Sequence, residues 1–158
     1  NLLANTTRVP GTAVFLVSHS GFVPTALLRN LEHNHVCHER IVILNLEILR
    51  TPRQDRAARA WVEELMPNVH SVRARFGFME TPNVIRGLTL ARAHGLAFDI
   101  MTTSFFLSRR ALVPTRKTAL PRWRELLFIF LARNATNATE FFHIPTSRVV
   151  ELGAQVAI

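Results

Sequence analysis

The 158 residues carry 19 Lys and Arg against 11 Asp and Glu, a formal net charge of +8, and 48% of them are hydrophobic. That length is one domain by size, and it buries enough surface to stand without disulfides or metal. The single cysteine, Cys37, excludes an internal disulfide and a cysteine-rich metal cluster, and the longest unbroken apolar run, at 126–132, is far shorter than the ~20 residues of a membrane span.

The chain opens at Asn1 rather than Met, which reads as a piece of something larger. Residues 1–11 are polar and close on the turn signal Val9-Pro10-Gly11. They are expected to be the tail of a linker, followed by a single domain at 12–158. The run TAVFLV at 12–17 is apolar on both faces, as a buried strand requires. A turn at 18–21 leads to Pro24, which fits a first helical turn, and Leu27, Leu28 and Leu31 then share a helix face that ends near Asn34. ERIVILNLEIL at 39–49 is a second strand, and the spacing allows a right-handed parallel crossover between the two.

TPRQDRAARA at 51–60 is polar and poorly patterned, and is expected as a loop or frayed helix at the surface. Residues 61–65 and 68–78 form a hairpin about Met66-Pro67-Asn68. In its second arm Val69, Ser71, Arg73 and Arg75 alternate with His70, Val72, Ala74 and Phe76, so one face is polar. Thr81-Pro82 predicts an N-cap followed by proline at the first helical position, and Gly95 the left-handed stop. A short apolar strand at 104–108 and a basic stretch at 109–118 follow. A third helix at 119–133 carries Trp123, Leu126, Leu127, Phe130 and Leu131 on one stripe, which either packs within the chain or, with Trp123, Leu127, Phe130 and Leu131, offers a candidate association or membrane-proximal surface. A last extended segment is expected at 149–153. The fold class is α/β: a small mixed sheet with a parallel βαβ start and an antiparallel hairpin, helices packed against it.

Arginine supplies all but one of the basic residues, scattered in ones and twos. A solvated basic surface accounts for them; an anionic ligand or lipid face stays open, and nucleic acid is not expected. Arg73 and Arg75, with Arg109 and Arg110, are the candidate anion or subunit surface. His33, His35, Cys37 and His38 crowd together, but the spacing does not align them on a helix, and capping or solvated histidines with an inert thiol are expected. No glycine-rich phosphate loop occurs, Asp55 and Asp99 are isolated, and no motif pairs Glu63, Glu64 or Glu80. No catalytic residue, cofactor or metal is assigned, and the chain is not expected to be an enzyme.

Several stretches, in order, resemble one family. They are RVPGTAVF at 8–15, LLRNLEHNHVCHER at 27–40, FGFMETPNV at 76–84, TSFFLSR at 103–109, RNA at 133–135 and IPTSRVVELGAQVAI at 144–158. Together they resemble the cytoplasmic C-terminal domain of bacterial potassium uptake transporters of the Kup/HAK/KT family. The resemblance implies a parent that imports potassium with co-transported protons, with this domain on the cytoplasmic face of the inner membrane. The ion pathway would lie in the membrane portion of the same polypeptide, so no potassium ligand is carried over to this chain. A regulatory and assembly role follows, with a homodimer through the 119–133 helix or a strand edge as the expected association. The alternative is a module sensing a cyclic dinucleotide or other anionic regulator. The sequence departs from the family pattern at Phe76 and Phe105, where Tyr is common, and at Thr102 and Arg110, where acids are common. It departs also at Glu32, His35, Cys37, Ala154 and Ala157.

Overall fold

The computed structural model describes residues 6–18, 21, 23–55, 59–96, 99–113, 143–144 and 146–157. Within them six strands form one sheet: β1 (Thr7–Val17), β2 (Val36–Leu49), β3 (Ala60–Met66), β4 (Val69–Gly77), β5 (Thr103–Val113) and β6 (Val149–Ala157). The order across the sheet is β3-β4-β2-β1-β5-β6. β3 runs antiparallel to β4, and every other neighbouring pair is parallel. The expected mixed sheet, with a βαβ start and an antiparallel hairpin, is therefore what forms. The strands build outward from β1 through β2 to β4, and then on its other side through β5 to β6. The boundary between β1 and β5 is thus the point where the winding reverses.

Two helices cover opposite faces. α1 (Thr25–Asn34) packs its Ala26, Leu27 and Leu31 on Ala13, Phe15, Ile41 and Phe106. Phe15 and Phe106 are neighbours in the β1–β5 register and stack with ring centroids 4.7 Å apart. α2 (Val84–Arg92) seats Val84, Leu88 and Ala91 on the other face, against Val14, Val42, Leu44, Val72, Ala74, Phe76 and Phe105. This division follows from the period of two: successive residues of the buried strands feed alternate cores, which is why the runs at 13–17 of β1 and 41–44 of β2 are apolar throughout.

The structure corrects several sequence expectations. β1 starts at Thr7, so Val9-Pro10-Gly11 is no turn before the domain. It is a bulge inside the strand, where the register with β2 slips between Val9 and Thr12. The cap of α2 is Asn83, whose Oδ1 accepts the Arg86 N–H at 2.9 Å, rather than Thr81. Gly95 does take a positive φ of 89°, past the end of that helix. β5 continues to Val113 and β6 to Ala157, because each satisfies the other's backbone along a parallel ladder that neither segment's polarity reveals. The expected helix at 119–133, with Trp123, Leu127, Phe130 and Leu131, lies outside the described residues.

Candidate functional site

The most highly organised polar cluster sits at the carboxyl edge of the sheet, where β4 turns toward α2. Gly77 ends β4, and Glu80 folds back over it: its Oε2 accepts the N–H of Gly77 at 2.8 Å and of Gln54 at 3.2 Å. Its Oε1 lies 2.6 Å from Nη2 of Arg59, a residue only 3% exposed. That same Nη2 also donates to the Gln54 carbonyl, and the guanidinium lies over the Phe76 ring at 5.7 Å. The Gly77 N–H holds the Glu80 carboxyl below its ordinary value; burial opposes this, and Arg59 and the Gln54 N–H add to the lowering. Phe78 donates its N–H to Thr51 and Met79 to Pro52, so the 51–54 loop and the 77–80 turn are bound together. No side chain fits at position 77, since a Cβ there would run into the Pro52 carbonyl. Sequence reasoning treated 51–60 as a loop or frayed helix at the surface and so missed Arg59. Its partner stands 21 residues along the chain, and no local pattern announces it.

Arg73 and Arg75 lie on the polar face of β4, as the alternation predicts. Both face Glu47 across the β2–β4 register. Arg75 Nε donates to Glu47 Oε2 at 2.9 Å, and Arg73 Nε stands 3.8 Å from Oε1. Trp61 of β3 is the register partner of Arg73 and is 69% exposed. Asn45, also opposite Arg73, is buried and donates to the Val17 carbonyl at 3.1 Å. Arg109 and Arg110 fall on β5, in register with Gly153 and Ala154 of β6. β2 and β1 separate them from β4, so the four arginines do not share adjoining strands.

The histidine-rich stretch spreads out. His33 is the basic residue in the last turn of α1, and His35 is its left-handed cap at φ 52°. Cys37 is buried, with its Sγ donating to the His38 carbonyl at 3.4 Å. Burial pushes that thiol up, more than the nearby Arg8 pulls it down, so it is a poor nucleophile. Among the described residues no three His, Cys, Asp or Glu gather as metal ligands. Asp99 caps the short 3-10 turn before β5, accepting the Met101 N–H at 2.9 Å. None of this assembles a nucleophile with a base. The chemistry on view is that of holding loops and presenting surfaces.

Comparison with known proteins gives this arrangement its relatives. The family described as K+ potassium transporter C-terminal domain matches residues 10–158. The chain belongs to that family. It is 55% identical over 150 residues to a probable potassium transport system protein Kup 2 of Rhodopseudomonas palustris (strain BisB18), covering 95% of this chain and 24% of that protein. A probable potassium transport system protein Kup of Caulobacter vibrioides (strain NA1000 / CB15N) is 50% identical over 151 residues, covering 96% of this chain and 23% of its own length. The potassium transporter C-terminal domain thus spans about a quarter of the length of the curated relatives it matches. No solved structure matches it. Among the described residues no helix is long and apolar enough to cross a membrane.

Proposed function

We propose that this domain is the cytoplasmic regulatory and assembly part of a potassium importer, joined to a membrane portion that carries the ion path and couples potassium entry to protons. The observation that carries the reading is the extent of the family match: nearly the whole chain aligns with a quarter of proteins named as potassium transport systems. The formal charge of +8 supports a place beside the anionic lipid of the cytoplasmic leaflet. With no catalytic constellation among its described residues, the domain influences transport through its contacts. It shifts the populations of transporter states by binding one better than another. Glu47 already lies across Arg73 and Arg75, which counts against an anionic nucleotide at that surface.

The test is complementation. The full parent gene is expressed in a bacterium lacking its own potassium uptake systems, and growth is followed in potassium-limited medium. Restored growth at low potassium is expected. A parent protein that reaches the membrane yet leaves growth at the uncomplemented level contradicts the proposal.

A further inference from the structure

The turn that Glu80 clamps has an unexpected exterior. Phe78 is 58% exposed and Met79 68%, at the extreme carboxyl edge of the sheet. Ile48, 53% exposed, stands one residue short of the same edge on β2, beside Phe76 in the register. A solvated connection between a strand and a helix gains nothing from two large apolar tips. Their exposure costs hydration free energy unless something covers them.

The same turn is held firmly. Its backbone N–H groups at Gly77, Phe78, Met79 and Glu80 are all donated, to Glu80 Oε2, Thr51, Pro52 and Gly77. The buried Arg59 locks the carboxylate that organises it. A tip ordered in advance loses little conformational entropy when it docks. Among the described residues of the 50–55 loop, the turn and the first turn of α2, the exposed charged side chains are Arg50, Arg53 and Arg86, against Asp55. Glu80 adds no free charge there, since Arg59 pairs with it.

We propose that the Phe78-Met79 turn, with Ile48 beside it and Arg50 and Arg53 as a basic collar, inserts into an anionic bilayer surface. Size and shape favour lipid over a protein partner. An aromatic side chain offers at most about 250 Å², so three apolar side chains on a tip fall short of the ~800 Å² per partner of a standard protein interface. Shallow burial at the headgroup boundary needs only a few apolar side chains, provided that basic residues meet the anionic lipid. The site does not depend on potassium transport, and either reading can fail without the other.

The experiment is co-sedimentation of the 158-residue chain with large unilamellar vesicles of phosphatidylglycerol and phosphatidylcholine, and with pure phosphatidylcholine. The wild type is expected to bind the anionic vesicles and to release them as salt rises. The double variant Phe78→Ser/Met79→Ser should bind at least ten-fold more weakly, with unchanged circular dichroism and thermal midpoint. Arg50→Glu/Arg53→Glu should weaken binding comparably. As a second measurement, Phe78→Trp should show a blue shift of its emission on anionic vesicles. Absence of wild-type binding, or equal binding by the Ser variant, overturns the proposal. So does self-association of the wild type in sedimentation velocity that the Ser variant abolishes while vesicle binding is unchanged, which would assign the tip to a protein contact.

Discussion

At the scale of single residues, the fold places two titratable groups where water does not stabilise their charged forms. Cys37 is one. His38, next to it, sets its ring edge against Phe106 at 5.8 Å, and its Nδ1 is buried without a hydrogen-bond partner. Burial holds this imidazole below the ordinary histidine value of 6.5. The unfolded chain therefore takes up its proton first as pH falls. Stability is full above the unfolded value and declines as pH drops from about 6.5 toward the folded value. His38→Phe keeps a ring against Phe106 and removes the titration. Urea midpoints at pH 8 and pH 5.5 should differ less in this variant than in the wild type; an unchanged difference would mean that another group carries the pH dependence.

At the scale of elements, the strands were legible where the two-residue period was clean. β4 shows this: its polar and apolar sides were assigned correctly from alternation alone, and the hairpin to β3 followed from the turn between them. What was illegible depends on partners distant in the chain. The Glu47 that meets Arg73 and Arg75 belongs to another strand, and the register that aligns them is decided by packing rather than by neighbours. The same holds for Arg59, polar in a polar stretch yet buried by a glutamate beyond the next hairpin. Gly77 belongs to this class, because its lack of a side chain matters only once the 51–54 loop lies against it. Gly77→Ala should cost about 1–3 kcal/mol, as overpacking does. Urea denaturation reads this directly, and a loss near zero would mean that the loop yields freely. The cap at Asn83 was misplaced for a smaller reason: Thr81-Pro82 carries a helix-start signal of its own, and only the extended backbone of Asn83 decides between them.

At the scale of the molecule, composition and periodicity alone led to one α/β domain without evident catalysis. Ordered motifs from 8–15 to 144–158 led to a family, and the match over residues 10–158 shows it. The winding order places those motifs where elements meet. RVPGTAVF is β1, which pairs with both β2 and β5 at the centre of the sheet; TSFFLSR is the start of β5; FGFMETPNV is the braced turn into α2. Each is a point where several elements meet, so the resemblance follows the architecture. The proposed bilayer contact uses the carboxyl edge of that architecture, at the clamped turn.

Initial rates of rubidium uptake, rubidium standing in for potassium, test whether this domain acts on a transporter to which it is joined. The full parent protein is compared with one lacking residues 7–158, so that all of β1 is removed, at equal amounts in the membrane. Uptake by the parent, with a maximal rate or half-saturating concentration altered at least several-fold in the truncated protein, is predicted. Indistinguishable uptake at equal membrane abundance would contradict it.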